Sequence, residues 1–325
     1  PQTYIIAEIG INHEGSFSQC IEMIQSAYES GADGVKLQTI DPEKNYHKKT
    51  ESYALFKKAQ LSLEETKKIF EYCHKLNIEI FTTVGDLKTL SEIESLNPSC
   101  YKISSGLLTC TPIIKRMSNK RIPIILSTGM ANLNDIENAF NASVETGFDK
   151  IAILQCTSIY PAKDDQLVLS NINWLANKFK CLTGFSDHSI GVDNCVFAVA
   201  SGARIIEKHF TFNDKRESFD HYISLTPPGF KNMVEKIREM EIRLGRTGKE
   251  VSKKINDTRN AMCRHLATIK PISKGECFTI ENTGFLRFPI NVNGLEPSYF
   301  EEILGKKTNK DLDIYSLIET GFITK

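Results

Sequence analysis

Short apolar segments alternate along the chain with longer segments in which apolar residues recur every three or four positions. The short segments predict buried β-strands, and the longer segments predict amphipathic helices. Eight predicted strands cover residues 4–9, 34–38, 78–83, 101–104, 122–127, 151–155, 182–186 and 205–209. Each is followed by a predicted helix, over residues 17–30, 63–76, 87–96, 112–117, 133–146, 167–179, 192–201 and 228–244.

Eight strand–helix units in succession predict an α/β fold, a closed (β/α)8 TIM barrel. The alternative is an open, doubly wound sheet, which usually carries a GxGxxG phosphate loop after its first strand. Here that turn reads GINHEG over residues 10–15, which lacks the glycine spacing. The barrel is therefore the favoured interpretation.

The character of the sequence changes after residue 244. A polar, basic segment comes first, and short apolar runs separated by glycine and proline follow it. We predict a barrel domain over residues 1–248, a linker over 249–263 and a small, mainly β domain over 264–325. Within the small domain, strands are expected over residues 266–269 and 277–280.

Composition and charge narrow the functional classes. The 325 residues include 40 Lys and Arg against 40 Asp and Glu, a balance that argues against nucleic acid as a partner. No run of 18 apolar residues occurs, so no membrane span is predicted. The nine cysteines form no CxxC pair and no signal peptide precedes them, which predicts reduced thiols in a cytoplasmic protein.

Polar side chains gather where the predicted strands end. In a TIM barrel the active site lies at the carboxyl ends of the strands, so these residues are the candidates for chemistry. The set comprises Asn12, His13, Glu14, Lys36, Gln38, Thr82, Thr83, Lys102, Ser104, Ser105, Ser127, Thr128, Gln155, Thr157, Ser158, Tyr160, Ser186, Asp187, His188, Glu207, Lys208 and His209, with Asp220 and His221 in the polar loop after strand eight. Lys36 and Lys102 suit phosphate binding, although a desolvated lysine can instead form a Schiff base.

His188 and His209 follow neighbouring predicted strands. Adjacent strands lie about 5 Å apart, so the two imidazoles could bind one divalent metal ion. The alternative is two histidines satisfied by nearby hydrogen bonds. Glu14 suits a general acid or base beside the metal, or else a carboxylate that caps the first helix.

The strand ends also carry a family resemblance that runs through the whole chain in order. The matching motifs are AEIGINHEG (7–15), VKLQT (35–39), YKISSG (101–106), LSTGM (126–130), QCTSIYP (155–161), GFSDHS (184–189) and IEKHFT (206–211). Together they resemble the sialic acid synthase family, whose members make N-acetylneuraminic, legionaminic and pseudaminic acids. That family has a TIM barrel followed by a small antifreeze-like (SAF) domain.

The resemblance implies a reaction and an assembly. The family condenses phosphoenolpyruvate with an N-acetylated hexosamine aldehyde, such as N-acetylmannosamine or a 2,4-diacetamido-trideoxyhexose. Water attacks C2 of phosphoenolpyruvate, and phosphate leaves by C–O cleavage. A divalent metal, Mn²⁺ with Mg²⁺ or Co²⁺ as alternatives, assists as a Lewis acid. The implied assembly is a domain-swapped homodimer.

The resemblance also implies roles for individual residues. His188 and His209 match the metal ligands, and Glu14 is matched to the catalytic glutamate. The phosphoenolpyruvate-binding positions match Lys36, Thr83, Lys102, Ser105, Ser127, Ser158 and Ser186. The sugar-side positions match Gln38, Tyr160 and Asp220, together with Arg287 from the partner's small domain.

Three departures from the family pattern leave the sugar open. Residues 82–86 read TTVGD where the family often has TPFD, residues 286–289 read LRFP in place of KRPG, and Phe219 replaces a common proline. Two other functional classes remain as alternatives. One is a metal-independent Schiff-base aldolase that uses Lys36 or Lys102, and the other is a non-catalytic carbohydrate- or ice-binding protein.

Overall fold

The computed structural model describes residues 2–245, 248–289 and 292–324. The chain divides into two compact units, residues 1–245 and residues 246–325. Each unit has its own hydrophobic core, and each is described by itself.

The first unit is built around a closed barrel of eight parallel strands, which confirms the predicted (β/α)8 fold. Each strand pairs with the next along the chain, and the first pairs with the eighth, with Glu8 opposite His209. The strands are β1 Tyr4–Gly10, β2 Gly34–Gln38, β3 Glu79–Thr83, β4 Tyr101–Ile103, β5 Ile124–Ser127, β6 Ile151–Cys156, β7 Leu182–Asp187 and β8 Ile205–His209.

Ten helices belong to the first unit within the described residues. They are α1 Phe17–Glu29, α2 Pro42–Asn45, α3 Glu51–Ala59, α4 Leu63–Leu76, α5 Leu87–Glu94, α6 Thr111–Ser118, α7 Leu133–Val144, α8 Asn171–Phe179, α9 Asp193–Ala200 and α10 Pro227–Leu244. Single 3₁₀ turns lie at Ser105–Leu107, Asp164–Gln166 and His221–Ile223.

Alternation along the strands separates two layers of side chains. Outward-facing residues such as Ile5 and Ile9 pack with the helices in the main hydrophobic core. Inward-facing residues form a small apolar layer inside the barrel, comprising Ile6, Phe81, Cys100, Ile125, Ala152, Leu154 and Ile205. Because successive side chains point to opposite faces, the next inward residue lies two positions further on. On five of the strands that position carries a charged or hydroxyl side chain, namely Glu8, Thr83, Lys102, Ser127 and Glu207.

Two short helices occupy residues 42–59, where the hydrophobic pattern predicts neither a helix nor a strand. The side chain of Asp41 accepts a hydrogen bond from the backbone N–H of Glu43 at the start of α2, and Pro42 takes the first helical position. Thr50 caps α3 in the same way, by accepting from the backbone of Tyr53. Helix-capping groups, rather than an apolar stripe, therefore define this segment.

The second unit contains two antiparallel strands, β9 His265–Thr268 and β10 Thr283–Leu286. Its helices are α11 Lys253–Met262 and α12 Phe300–Ile303, with 3₁₀ turns at Pro297–Tyr299 and Thr320–Phe322. Isolated bridges supply the other described β contacts outside the named strands of this unit, among them Ala267 with Leu317 and Ile272 with Leu312. Its core comprises Leu266, Ile272, Phe278, Leu295, Ile303, Leu312 and Ile318.

The strand predicted over residues 277–280 is present only in its first part. Cys277 forms an antiparallel bridge with Lys307, and the backbone N–H of Phe278 donates to the carbonyl of Lys306. A turn follows, in which the side chain of Asn282 accepts from the backbone of Thr279 and donates to the carbonyl of Cys277. The segment predicted as a linker contains the helix α11, which has no buried residue.

None of the helices in the described part of the chain combines the length and apolarity that a membrane crossing requires.

Candidate active site

Two lysines and two glutamates form a buried cluster inside the barrel, one layer above its apolar floor. The ammonium Nζ of Lys36 lies 3.0 Å from Glu8 Oε2 and 3.5 Å from Glu207 Oε1. The ammonium of Lys102 lies 3.7 Å from Glu207 Oε2. All four side chains are nearly inaccessible to solvent. The cluster carries no net charge when all four groups are ionised, because two cations face two anions.

Neutral polar side chains surround these charges. Gln38 donates to Glu8 Oε1 at 2.7 Å, and Ser186 donates to Glu207 Oε1 at 2.9 Å. Lys102 donates to the hydroxyl of Ser127 at 2.7 Å. The buried hydroxyl of Thr83 has no hydrogen-bond partner among the described residues. An unpaired buried hydroxyl is unusual in a folded protein, so Thr83 has capacity for a ligand.

Burial and the neighbouring charges shift the pKa values of the cluster in different directions. Burial raises the pKa of Glu8 to about 7, against the opposing attraction of Lys36. Burial disfavours ionisation of Glu207 as well, but Lys102 and Lys36 outweigh it and lower the pKa of that carboxyl. Burial also lowers the pKa of Lys102. Glu8 is therefore the carboxylate best suited to gain and lose a proton near neutral pH.

Two further serines converge on the backbone of Gly129, just after β5. A Cβ added at this glycine would lie 2.0 Å from the hydroxyl of Ser105 and 2.3 Å from that of Ser158. The backbone has a positive φ of 35° there. The absent side chain thus leaves a small cradle lined by hydroxyls beside Ser127, which suits a ligand with several oxygen atoms.

His188 and His209 stand side by side, with ring centroids 5.5 Å apart. His188 Nδ1 lies 2.7 Å from the carbonyl oxygen of Thr157, so Nδ1 donates a proton to that oxygen. Tyr160 stacks on His188 at 4.2 Å, and its hydroxyl lies 3.2 Å from Nε2. Asp220 Oδ2 lies 3.8 Å from Nδ1 of His209.

The two imidazoles meet the requirements for metal ligands in part. Burial lowers the pKa of His209 well below its ordinary value, so the ring is neutral, as a ligand must be. Its Nδ1 is buried and has no hydrogen-bond partner among the described residues. No group of three or more His, Cys, Asp or Glu in the described ranges could hold a metal ion. The described residues thus offer two neighbouring imidazoles without a third protein ligand, and metal binding stays a prediction.

One predicted site residue of the barrel lies apart from this cluster. The carboxylate of Glu14 contacts Arg216, Lys58 and His221, and none of its described contacts reaches Lys36, Lys102 or the histidine pair. Arg287 belongs to the second unit and is exposed, directly after β10. The remaining predicted residues lie in the barrel or in the loops at the carboxyl ends of its strands.

Glu8 is the member of the cluster that sequence reasoning missed. It lies within the apolar run of the first strand, two positions after Ile6, and so faces the inside of the barrel. The strand register places it opposite Lys36 on one side and His209 on the other. A single carboxylate inside an otherwise apolar strand was the available signal, because such a group is costly to bury without a partner.

Comparison with known proteins agrees with the fold and the order of the motifs. A sequence profile of the NeuB family matches residues 23–249, more than half of the chain. The chain belongs to the NeuB family. This confirms the resemblance to the sialic acid synthases and the interpretation of the chain as an enzyme.

Two NeuB relatives of this chain carry the names of different sugars. This chain is 34% identical to an N,N'-diacetyllegionaminic acid synthase of Campylobacter jejuni, and the match covers 95% of this chain and 97% of that one. It is also 34% identical to a pseudaminic acid synthase of Helicobacter pylori, with coverage of 95% and 94%.

A solved structure agrees with the assignment. The N-acetylneuraminic acid (sialic acid) synthetase of Leptospira borgpetersenii, in complex with citrate, has a TM-score of 0.77 and 29% identity. The match covers 81% of this chain and 93% of the Leptospira chain.

Proposed function

We propose that this chain condenses phosphoenolpyruvate with an N-acylated hexosamine aldehyde and water, giving phosphate and a nine-carbon sugar of the sialic acid type. The observation that carries the proposal is the convergence of Lys36 and Lys102 with serine hydroxyls beside a histidine pair. Membership of the NeuB family supports the reaction class. The names of the relatives support the product class.

The reaction defines what the site must supply. Carbon C3 of phosphoenolpyruvate forms a bond to the aldehyde carbon of the sugar. The oxygen of water adds to C2, and the bond from C2 to the bridging oxygen breaks as phosphate leaves. The site must therefore hold a phosphate and a carboxylate, receive the proton lost by water and stabilise charge on the aldehyde oxygen.

The cluster and the hydroxyl cradle suit the two anionic groups. The ammonium groups of Lys36 and Lys102 would bind phosphoenolpyruvate as point charges. The hydroxyls of Thr83, Ser105, Ser127, Ser158 and Ser186 would donate the remaining hydrogen bonds. The unpaired hydroxyl of Thr83 supports this assignment, because a bound oxygen would satisfy it.

A carboxylate of the cluster would receive the proton from water. Glu8 has a pKa raised to about 7 by burial, which matches the requirement for a base that works near neutral pH. It lies 3.0 Å from Lys36, so it is close to the site of the bound anion. This role passes to Glu8 from Glu14, whose carboxylate is engaged by other groups.

We propose that His188 and His209 hold a divalent metal ion, Mn²⁺, with Mg²⁺ and Co²⁺ as alternatives. Bound there, the ion would act as a Lewis acid toward the aldehyde oxygen. Imidazole nitrogen suits Co²⁺ better than Mg²⁺, and oxygen ligands from substrate and water would suit Mn²⁺ as well. Asp220 and Tyr160 flank the histidines and would contact the sugar, together with Gln38.

Arg287 of the small domain is assigned to the sugar substrate. We propose a homodimer in which Arg287 of one subunit serves the N-acyl group bound at the partner's barrel. The exposure of this side chain is consistent with the role. The Arg287→Ala variant is then expected to raise the KM for the sugar and to leave phosphoenolpyruvate binding unchanged. Sedimentation velocity of the full chain tests the dimer.

Phosphate release from phosphoenolpyruvate tests the reaction directly. The full chain is assayed with Mn²⁺, Co²⁺ or Mg²⁺, with N-acetylmannosamine and a 2,4-diacetamido-trideoxyhexose in separate reactions, each with and without EDTA. Release that depends on the sugar and stops with EDTA supports the proposal. The better sugar identifies the substrate, which equal identity to the two named relatives leaves open.

Two variants serve as controls for the metal and for the anion site. His209→Ala is expected to weaken Mn²⁺ binding and abolish turnover, whereas Lys102→Met is expected to abolish phosphoenolpyruvate binding while Mn²⁺ still binds. Unchanged activity of His209→Ala in metal-free buffer would contradict the metal assignment. Covalent trapping of pyruvate on a lysine by borohydride, without metal, would favour the aldolase instead.

A further inference from the structure

Glu14 joins three segments that are far apart in sequence. It lies in the loop between β1 and α1, and its Oε1 contacts Arg216 and lies 3.3 Å from His221 Nε2. Its other oxygen, Oε2, lies 3.4 Å from Lys58 Nζ. Arg216 and His221 belong to the loop between β8 and α10, and Lys58 belongs to α3. We call these four residues the loop latch.

The backbone of the first loop is shaped to bring Glu14 to this place. Glu14 has a φ of 51°, a left-handed conformation that residues other than glycine seldom adopt. Gly15 follows with a φ of 82°, and a Cβ there would lie 2.5 Å from the carbonyl oxygen of Lys58. The loop therefore packs directly on the backbone of α3, and only glycine permits that approach.

The latch surrounds the segment that carries Asp220. Phe219 has a φ of 56°, and its ring is buried with Ile11 and Ala59. Lys58 Nζ lies 5.2 Å from the centre of that ring. The backbone N–H of Asp220 donates to Asn12 Oδ1 at 3.2 Å. Asp220 is thus held by the first loop on one side and the latch on the other.

The same contacts argue against proton transfer by Glu14. Burial disfavours ionisation of its carboxyl, but Arg216 and Lys58 outweigh that effect and lower its pKa. A carboxylate with a lowered pKa is a poor general acid at neutral pH. A group engaged by two cations and an imidazole is instead suited to fix the positions of its partners.

We infer that Glu14 is a positioning residue that ties the β8–α10 loop to the first loop and to α3, and so holds Asp220 against His209 at the sugar side of the site. The inference rests on the proposed function for the location of the sugar. Loss of the latch should therefore weaken sugar binding and leave phosphoenolpyruvate binding intact, because Lys36 and Lys102 make no described contact with the latch.

Kinetics of Glu14→Gln, Arg216→Met and the double variant test the inference. Each single variant is expected to raise the KM for the sugar by about five- to tenfold, with the phosphoenolpyruvate KM and kcat within about twofold of wild type. The double variant should resemble Glu14→Gln, because the described ion pair of Arg216 is made with Glu14. Arg216→Lys keeps the charge and should restore part of the loss.

Glu64→Gln is the matched control. Glu64 forms an exposed ion pair with Lys68, 2.8 Å apart on α4, and makes no contact with the latch among the described residues. This variant should leave all kinetic constants unchanged. A kcat for Glu14→Gln that falls by about a hundredfold or more at an unchanged sugar KM would overturn the inference, because that is the behaviour of a catalytic acid or base.

Hydrogen exchange gives a test that does not depend on turnover. Amide exchange across residues 210–224 should be faster in Glu14→Gln and Arg216→Met than in wild type and Glu64→Gln. Equal exchange in all four proteins would overturn the latch even if the synthase reaction is confirmed. Faster exchange in a protein that condenses neither sugar would support the latch and count against the proposed function alone.

Discussion

The ion pair between Lys208 and Asp187 should be among the most costly single interactions to break in the barrel. Lys208 lies between the inward-facing Glu207 and His209, so its side chain points outward into the layer beneath the helices. Lys208 Nζ lies 2.8 Å from Asp187 Oδ2, and both side chains are completely buried. It also donates to the carbonyl of Ser189. The pair joins β8 to β7, one residue before each histidine of the proposed metal site.

The remaining partners set the expected cost. Removing one member of a buried pair costs about 3–5 kcal/mol, because the other charge stays buried. In Lys208→Met, Asp187 keeps hydrogen bonds from the backbone and hydroxyl of Ser189, so a value near 3 kcal/mol is expected. In Asp187→Asn, the ammonium keeps only an amide oxygen and a carbonyl, so a value near 5 kcal/mol is expected.

Thermal and guanidinium unfolding of the full chain measure this effect. For a unit of this size, about 3–5 kcal/mol corresponds to a fall in Tm of roughly 6–20 °C. The double variant Lys208→Met with Asp187→Asn leaves no buried charge, and it should be more stable than the sum of the single effects predicts.

An exposed pair of equal length provides the control. Lys236 Nζ lies 2.8 Å from Asp193 Oδ1 on the surface. Lys236→Met should cost no more than about 1 kcal/mol, since exposed pairs are screened by solvent. The reasoning is refuted if Lys208→Met is no more destabilising than Lys236→Met, or if the two buried substitutions are simply additive.

Two further predictions concern the loops at the carboxyl ends of the strands. Burial lowers the pKa of His13 to about 4, below its ordinary value near 6.5, so stability is expected to fall as pH decreases from about 6.5 to 4. His13→Asn keeps a side-chain acceptor for the backbone N–H of Gly15. In denaturant titrations between pH 6.5 and 4, this variant should flatten the dependence of the unfolding free energy on pH. An unchanged pH dependence would assign the titration to another group. Gly129→Ala should abolish phosphoenolpyruvate binding in calorimetry, because the new methyl group would displace the hydroxyls of Ser105 and Ser158. Gly147→Ala is its control, with a positive φ of 73° and open space around the added carbon, and equal loss of binding in both would attribute the effect to backbone strain.

The barrel was predictable from the sequence because each strand is short, apolar and bounded by polar residues. The helices α2 and α3 were harder to predict from periodicity, since Pro42 and Ala59 are their only buried residues. Their N-terminal caps, Asp41 and Thr50, were a clearer local signal. The second unit was harder still, because much of its pairing is made of single bridges between distant residues.

The residues of the candidate site were likewise predictable only in part from the sequence. Residues at strand ends, such as Lys102 and His209, were identified because polar groups interrupt an apolar pattern. The roles of the glutamates depended on register and loop contacts, which the sequence does not display. Glu8 reaches the charged cluster through the pairing of β1 with β2, whereas Glu14 is drawn away from it by Arg216, 202 residues further along the chain.

The neutral balance of the buried cluster affects how an anion can leave the site as well as how it can enter. Lys36 and Lys102 are each within 4 Å of a carboxylate, so an incoming anion exchanges one partner for another instead of meeting an unpaired cation. The net free energy of anion binding is therefore the difference between the lysine–anion interaction and the lysine–carboxylate interaction that it replaces. In the proposed reaction, Glu8 and Glu207 would compete with the product phosphate for the same ammonium groups and so favour its departure. The internal carboxylates would thus act as a built-in counter-ligand that limits product inhibition.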